Sequence, residues 1–220
     1  MSSPLPRYVP LGDSAITVVF GEGISRALSG EVLRVAEAVG AASVHGVHEV
    51  VPAYASLGIF YDPLQVEYAE LLKEMRAAVE GARSREPTAD PQEARTIRIP
   101  VRYDGEDLAE VADRTGHTAS EVIKLHSERE YYVYVIGFVP GFAYLGDLDQ
   151  SLILPRRSTP RKRVPAGSVG IAEAQTGVYP FSTPGGWNLI GRTDVKMFDA
   201  ARAEPALLRV GDRVVFEAET

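Results

Sequence analysis

The segment at residues 155–165, PRRSTPRKRVP, concentrates basic side chains between prolines. An arginine can pair bidentately with a carboxylate or a phosphate, so Arg156, Arg161 and Arg163 could hold an anionic substrate or a nucleotide phosphate. The commoner fate of such a run is a solvated charge patch. The prolines restrict the backbone of this segment. A solvated charge patch does not require a restricted backbone, so the prolines favour a binding role.

A second candidate site is the segment at residues 137–147, GFVPGFAYLGD. Its glycines permit positive φ and close approach of a ligand to the backbone. Phe138, Phe142 and Tyr144 could then form the walls of a pocket. The alternative is that these aromatic side chains pack into the end of a barrel, and composition alone favours that packing.

A third candidate lies in residues 172–194, where Gly185 and Gly186 precede Trp187, the single tryptophan of the chain. Backbone amides exposed at paired glycines can bind an oxyanion or a phosphate. Gln175, earlier in the segment, adds an uncharged hydrogen-bonding group. The alternative is a β-turn followed by a strand whose tryptophan fills the core, and both interpretations can hold together.

His126 falls late on a predicted helix, just before the strand that leads into the aromatic segment. It could act as a general base or orient a substrate, although a hydrogen-bonded, partly buried histidine is the commoner outcome. His45 and His48 form no metal-ligand pattern with nearby carboxylates, and we predict no metal site.

Composition and missing motifs narrow the function classes. The chain has 220 residues, 45% of them hydrophobic and 24% charged, which predicts one large or two small globular domains. It has no cysteine and a net charge of -7, so thiol chemistry is excluded and nucleic acid is a poor partner. No apolar run suits a membrane span or a secretory signal, and we expect a cytoplasmic protein. The P-loop, GxSxG and GxGxxG motifs are absent.

The N-terminal part, residues 1–85, predicts a small α/β domain. AITVVF is typical of a strand, and apolar residues spaced by three and four then predict a helix that Gly40 ends. HEVVPAY and ASLGIFY predict two more strands, and Asp62 with Pro63 predicts the start of a second helix. The order β-α-β-β-α resembles a ferredoxin-like domain whose last strand is missing or supplied later. Residues 86–94 are predicted to be a linker.

Residues 95–220 predict a mostly β domain with two helices near its start. A strand over 96–103 is followed by a helix ending at Gly116, and by another that opens on a capping box of Thr118 and Glu121. Short apolar runs then alternate with glycine and proline, which favours a barrel or sandwich. The predicted strands include YYVYVIGF, SLILP, SVGIAE, WNLIG, DVKMF and DRVVFEAE.

Taken together, these motifs resemble the allophanate hydrolase subunit 1 family, which includes the sporulation kinase inhibitor KipI and the B subunit of 5-oxoprolinase. The resemblance rests on GFVPGFAYLG, on residues 155–193 from PRRSTPRKRVPAGSVGIA to STPGGWNLIGRT, and on LLRVGDRVVF. GDSAITVVF and VHEVVPAYASLGIFYDP extend it into the N-terminal part. Thr183 stands where the family pattern has serine, a mild departure.

The resemblance implies an α+β fold, with a small ferredoxin-like α/β N-terminal domain and a cyclophilin-like β-barrel C-terminal domain. It implies the B subunit of an ATP-dependent 5-oxoprolinase complex that opens 5-oxoproline to L-glutamate. The expected partners are the A subunit of 5-oxoprolinase and a homologous cyclophilin-like C subunit, which is KipA-like. ATP is expected at the level of the complex rather than on this chain, which is expected to be inactive alone.

The candidate residues acquire roles through this resemblance. The segment at 137–147 is expected to border the ligand groove of the barrel, near the face used by the partner subunit. The predicted catalytic residues are His126, Arg161 and Arg163. The predicted substrate-binding residues are Phe138, Phe142, Tyr144, Gln175, Gly185, Gly186 and Trp187.

Two alternatives to the hydrolase follow from the same family. One is a KipI-like inhibitor that binds a sensor histidine kinase, with the surface around Phe142 and Tyr144 as its interface. The other is a carboxyltransferase component, similar to that of urea carboxylase, which acts with a biotin carrier. This chain has no biotin-carrier segment, so that activity would require partner proteins.

Overall fold

The structure, a computed structural model, describes residues 6–84 and 95–219. Contacts divide the chain into two compact units, residues 1–94 and 95–220, and each is described by itself. The predicted linker at 86–94 lies outside the described residues.

The first unit is a four-stranded antiparallel sheet with two helices. Its elements are β1 (Arg7–Pro10), β2 (Ala15–Val19), α1 (Arg26–Ala42), β3 (Val47–Ala53), β4 (Ser56–Tyr61) and α2 (Tyr68–Ser84). The strand order is β1-β2-β4-β3. The strand missing from the predicted ferredoxin-like order is therefore supplied earlier in the chain, by β1, and not later. The sequence of the short RYVP segment does not by itself predict a strand. The segment is extended because it pairs with β2 across a tight turn.

The two helices of this unit pack an apolar stripe into the core. In α1, the hydroxyl of Ser25 accepts a hydrogen bond from the backbone N–H of Leu28, and Val32, Val35 and Val39 are buried. The predicted start of α2 at Asp62 is wrong. The carboxylate of Asp62 instead accepts from the backbone N–H of Leu64 in a turn, and the helix begins at Tyr68.

The second unit is a seven-stranded sheet curled into a barrel, with a short ribbon beside it. The strands of this unit are β5 (Thr96–Val101), β6 (Glu130–Ile136), β7 (Ala143–Gly146), β8 (Arg161–Val164), β9 (Ser168–Ala172), β10 (Gln175–Val178), β11 (Thr183–Gly185), β12 (Asn188–Arg192) and β13 (Arg213–Ala218). The order in the seven-stranded sheet is β12-β9-β10-β7-β6-β13-β5. Arg102, just after β5, and Arg192, at the end of β12, exchange backbone hydrogen bonds of 2.9 and 2.8 Å. These bonds join the two edge strands, and the predicted α+β class with a barrel domain is confirmed.

Two helices precede most of the barrel strands, as predicted. Helix α3 (Leu108–Thr115) ends at Gly116, which has the left-handed conformation that favours glycine. Helix α4 (Ala119–Ser127) opens on the predicted capping box, in which Thr118 and Glu121 each bond the other's backbone N–H. The prediction of these caps succeeds because it depends on residues only three apart.

Two of the predicted strands are wrong. SLILP contains part of a 3₁₀ helix (Gln150–Leu152), after which Leu154 forms only an isolated bridge with Glu173. DVKMF forms no strand, although Met197 is buried. Its apolar residues fill the core from an irregular segment, which the period-two pattern cannot distinguish from a short strand.

Outside the barrel sheet, β8 and β11 form a two-stranded antiparallel ribbon. β8 carries the second half of the basic run, and β11 ends at the paired glycines. The ribbon therefore brings two of the three candidate segments together, although they are about twenty residues apart in sequence.

Candidate substrate pocket

A pocket of about 270 Å³ lies in the barrel unit, where the aromatic segment, the basic run and the paired glycines meet. This volume is just below the range of about 300–1,000 Å³ that is common for small-molecule sites. The lining residues are Phe138, Phe142, Tyr144, Arg156, Arg157, Pro160, Tyr179, Pro184, Gly185, Gly186 and Trp187. Six of the seven predicted substrate-binding residues are among them. Their position in the pocket is observed, whereas their role in binding stays a prediction.

The floor of the pocket is an aromatic cluster centred on Phe142, whose side chain is buried. Its ring lies edge-on to those of Tyr144, Tyr179 and Trp187, with centroids 4.9, 5.3 and 5.4 Å apart. Phe138, at the mouth, is 60% exposed and lies 5.6 Å from Phe142. Both interpretations of the segment therefore hold, since its aromatic side chains pack together and also form a pocket wall.

The backbone of the aromatic segment follows a turn that needs glycine. Gly141 has a φ of +79°, and a Cβ there would lie 2.8 Å from the Cβ of Phe198. Phe138 also has positive φ, at 70°, which is unusual for a bulky residue. This turn between β6 and β7 places Phe138 at the mouth of the pocket and Phe142 in its floor.

The paired glycines differ in what they contact. A Cβ on Gly185 would lie 2.4 Å from the hydroxyl oxygen of Tyr179, whereas one on Gly186 would meet nothing closer than 3.7 Å. Gly185 is therefore required for Tyr179 to lie against the ribbon. Burial raises the pKa of Tyr179, while a hydrogen bond with the backbone of Trp187 lowers it less. The phenol is neutral near pH 7.

Two arginines of the basic run are held by buried or nearby carboxylates. Asp107, which is buried at the start of α3, accepts hydrogen bonds from Arg157 at 2.8 Å and from Arg161 at 2.7 Å. Arg157 also contacts Glu110 at 3.1 Å, and Arg161 contacts Glu106 at 2.8 Å. Both positive charges are thus already compensated within the protein.

Arg156 differs from both of these arginines. It lines the pocket, and it forms no hydrogen bond or ion pair with any residue in 6–84 or 95–219. Its charge acts on Tyr144 and Tyr179, whose pKa values burial raises and Arg156 partly lowers. Within the described residues, Arg156 is therefore an uncompensated cation beside an aromatic floor.

Arg163 and Gln175 do not line this pocket, contrary to the expectation that they would meet polar groups of a ligand there. The exposed Arg163 donates from Nε to Ser182 Oγ at 2.9 Å, across the ribbon. Gln175 begins β10, where it pairs with Ala172 and Gly146. Arg161, predicted as catalytic, is not among the lining residues either, and its guanidinium forms ion pairs with Glu106 and Asp107.

His126 is fully buried in the barrel core and does not line the pocket. Its ring stacks on Phe216 at 4.7 Å, and its nitrogens lie 2.7 Å from the Tyr103 hydroxyl and 2.9 Å from Thr176 Oγ1. Burial lowers the pKa of His126 to about 3. A buried imidazole that does not line the pocket has no direct contact with a ligand there, so this geometry gives no support to the acid–base role, which stays a prediction.

Sequence reasoning missed Asp107 and Tyr179. Asp107 follows Gly105, where a Cβ would lie 2.3 Å from the backbone of Ile190. Glycine thus lets the chain pass against β12, so that Asp107 reaches the arginines. The only sign of this site in the sequence is the tripeptide GED, in which a glycine precedes two acidic residues. The tripeptide does not indicate which arginines those acidic residues contact.

In 6–84 and 95–219, no group of three or more histidine or acidic side chains is arranged to hold a metal ion. Over the same ranges, no helix is both long enough and apolar enough to span a bilayer.

The family model for the carboxyltransferase domain, subdomain C and D, matches residues 6–208. The chain belongs to this carboxyltransferase domain family. The match extends over both compact units, and it covers the pocket with all of its lining residues.

Two relatives in this family match the chain almost end to end. The B subunit of 5-oxoprolinase from Bacillus subtilis (strain 168) is 43% identical over 216 residues, which cover 94% of this chain and 90% of the relative. The B subunit of 5-oxoprolinase from Escherichia coli O157:H7 is 40% identical over 213 residues, covering 96% and 94%. The predicted relationship to this subunit of 5-oxoprolinase is confirmed.

Solved structures support the same fold. TTHA0988 is 43% identical with a TM-score of 0.81, and the match covers 94% of this chain. This chain spans only 40% of the length of TTHA0988. The urea carboxylase of Kluyveromyces lactis matches 97% of this chain and 22% of its own, with a TM-score of 0.76 at 19% identity, which shows a shared fold alone.

Proposed function

We propose that this chain is the B subunit of an ATP-dependent 5-oxoprolinase, which opens 5-oxoproline to L-glutamate. The observation that carries the proposal is the identity of 43% and 40%, nearly end to end, to two proteins named as B subunits of 5-oxoprolinase. The pocket adds support, because a small volume with an aromatic floor and a cation unpaired within the described residues suits a small, ring-shaped anion.

The proposed reaction requires activation of a stable amide. Phosphorylation of the lactam oxygen by ATP, with release of ADP, would make the ring carbon open to attack by water. Breakage of the ring C–N bond would then leave an acyl phosphate of glutamate, and a second water would release the phosphate. The net change is hydrolysis of the lactam coupled to hydrolysis of ATP to ADP and phosphate. Hydrogen-bond donors near the lactam oxygen would stabilise the charge that develops there.

Within such a complex, this chain would bind the substrate and its partners would supply the nucleotide. The sequence has no P-loop, so ATP is assigned to the complex of the A, B and C subunits. In this proposal the exposed ring of Phe138, at the mouth of the pocket, contacts the substrate or the homologous C subunit. The chain alone would then bind 5-oxoproline without turning it over.

A second candidate is a carboxyltransferase component that acts with a biotin carrier. The description of the matching family, a carboxyltransferase domain, favours it. The two activities differ in their requirement for biotin, so a single set of assays separates them.

The test is reconstitution of the chain with the A and C subunits encoded in the same genome. ADP and glutamate are measured with 5-oxoproline, with each subunit left out in turn, and with a biotin carrier and bicarbonate as a separate arm. Glutamate formed only by the complete mixture supports the proposal. Biotin-dependent carboxyl transfer without glutamate formation would replace it by the second candidate.

A matched pair of variants links the activity to the pocket. Phe138→Ala removes an exposed ring at the pocket mouth, and Phe181→Ala removes an exposed ring of the same unit that does not line the pocket. The first is expected to raise KM for 5-oxoproline severalfold, and the second to leave KM unchanged. Equal changes in KM for 5-oxoproline in the two variants would mean that the substrate does not bind in this pocket.

A further inference from the structure

Arg156 and Arg157 are neighbours in sequence and both line the pocket, but they differ in whether a carboxylate pairs with the guanidinium. Arg157 is fixed at both its backbone and its side chain: its N–H donates to the carbonyl of Gly186 at 2.8 Å, and its guanidinium contacts Asp107 and Glu110. Arg156 has no such partner in the described ranges 6–84 and 95–219. The fixed Arg157 therefore anchors the backbone that presents Arg156 to the pocket.

The carboxylates nearest to this segment are already engaged. Asp107 is shared between Arg157 and Arg161, while Glu110 and Glu106 each contact one of the same two arginines. Among the residues that the structure describes, no acidic side chain lines the pocket. An anionic ligand would meet the guanidinium of Arg156 without repulsion from this lining.

We propose that Arg156 recognises the carboxylate of the substrate, while the ring of the substrate lies on the aromatic floor formed by Phe142, Tyr144 and Trp187. This inference rests on the proposed function and deepens it, because it makes Arg156 the residue that distinguishes 5-oxoproline from an uncharged lactam. A guanidinium and a carboxylate form a charge-assisted, bidentate pair, which fixes orientation as well as affinity.

Arginine also binds phosphate, so inorganic phosphate and the phosphates of ATP are competing ligands. The pocket favours the organic anion, because five of its eleven lining residues are aromatic and a free phosphate would gain nothing from those faces. A small carboxylate attached to a five-membered lactam ring uses both the cation and, through the methylene groups of the ring, the aromatic floor.

Trp187 provides a direct measurement of binding. It is the single tryptophan of the chain and it lines the pocket, so its fluorescence reports on a ligand without any requirement for turnover. The full chain is titrated with 5-oxoproline, with 2-pyrrolidinone, which is the same ring without the carboxylate, and separately with inorganic phosphate and ATP. The variant is Arg156→Gln, and the control is Lys162→Gln, an exposed cation of the same run that does not line the pocket.

The wild-type chain and the Lys162→Gln control are expected to bind 5-oxoproline at least ~10-fold more tightly than 2-pyrrolidinone. Arg156→Gln should weaken binding of 5-oxoproline by about 10- to 100-fold, the usual worth of a hydrogen-bonded charge pair, and abolish the preference. Binding of phosphate or ATP as tight as that of 5-oxoproline, or an unchanged preference in Arg156→Gln, overturns the inference. Absence of saturable binding of 5-oxoproline to both the chain and the assembled complex overturns it as well.

The reconstituted complex separates this inference from the proposed function. If the complex releases glutamate but Arg156→Gln leaves the ratio of kcat/KM for 5-oxoproline and 2-pyrrolidinone unchanged, Arg156 is not the recognition residue and the proposed function stands. If the complex releases no glutamate while Arg156→Gln abolishes the preference in the fluorescence titration, the carboxylate site stands and the proposed function fails.

Discussion

The hydroxyl of Tyr103 lies 2.7 Å from Nδ1 of His126 inside the barrel core. On the other side of the ring, Nε2 lies 2.9 Å from Thr176 Oγ1, which itself donates to the carbonyl of Gly170 at 3.1 Å. Because the Thr176 hydroxyl donates to the Gly170 carbonyl, it accepts from Nε2 of His126. Nε2 therefore carries the imidazole proton, and Nδ1 accepts from the Tyr103 hydroxyl. His126 thus links the segment after β5 to strand β10 through a chain of buried hydrogen bonds.

His126→Ala is expected to destabilise the barrel unit by about 3 kcal/mol, because it leaves a cavity and two hydroxyl groups without their partner. Urea unfolding followed by the fluorescence of Trp187 measures this change in the unit that contains the histidine. Lys124→Ala, on the exposed side of the same helix, is the control and should change the free energy of unfolding by less than about 0.5 kcal/mol. A stable His126→Ala variant that loses only turnover would contradict this expectation and support the predicted catalytic role.

The stability of the barrel unit should fall as the pH is lowered below 6.5. The pKa of His126 is about 3 in the folded state and near its ordinary value of 6.5 when unfolded, so the unfolded chain binds the extra proton between these values. The contribution is fully present above pH 6.5 and is lost by up to about 1.4 kcal/mol per pH unit on acidification. Urea unfolding at about pH 7 and about pH 5 should differ by about 2 kcal/mol more in the wild type than in His126→Gln. Equal pH dependence in the two proteins would contradict this assignment.

Sequence patterns predicted the features that depend on neighbouring residues. The capping box needs only Thr118 and Glu121, and the end of α3 needs only Gly116, so both are readable from local spacing. The aromatic and glycine content of 137–147 likewise predicted either packing or a pocket wall, and the structure shows both for this segment.

The sequence patterns did not predict the contacts that join residues far apart in the chain. Asp107 meets its arginines across 50 and 54 residues, and His126 meets Thr176 across 50. Strand β1 is recognisable only through its pairing with β2. A histidine or an acidic residue has the same appearance in the sequence whether its partner is a ligand or a buried hydroxyl, so only the fold separates these outcomes.

Gly185→Ala and Gly186→Ala form a pair that tests the packing of the pocket. The added methyl group on Gly185 would clash with Tyr179, and we expect a loss of about 1–3 kcal/mol in stability together with loss of ligand-induced change in Trp187 fluorescence. The same substitution at Gly186 meets only ordinary contacts and should be tolerated. Indistinguishable variants in urea unfolding and ligand titration would show that Tyr179 does not depend on Gly185.

Thr118→Ala is expected to destabilise the barrel unit by about 1 kcal/mol. The substitution removes the hydroxyl that accepts from the backbone N–H of Glu121, and it also removes a partner of the Glu121 carboxylate. Ser120→Ala, at an exposed position in the first turn of the same helix, is the control and should have little effect. Equal urea midpoints for the two variants would mean that the capping box contributes no net stability.

The carboxylate of Asp107 pairs with Arg157, which lines the pocket, and with Arg161, which does not. Asp107→Ala leaves the guanidinium groups of Arg157 and Arg161 and the backbone N–H of Leu189 without their shared acceptor, at a cost of about 3 kcal/mol in stability. Asp107→Asn retains an oxygen for the Leu189 N–H and should cost less. Glu110→Gln, whose side chain is 48% exposed, is the control and should cost less than about 1 kcal/mol.

Ligand binding gives the Asp107 substitutions a second readout. Without the charge of Asp107, Arg157 keeps only the half-exposed Glu110 as an ion-pair partner, so Asp107→Asn should make Arg157 more available to an anion and reduce the dependence of 5-oxoproline binding on Arg156. In a double-mutant cycle, Arg156→Gln is therefore expected to weaken binding less in the Asp107→Asn background than in the wild type. Fluorescence titration of the four proteins measures this coupling. Additive effects would show that Asp107 contributes to stability alone and leaves the selection of the anion to Arg156 unchanged.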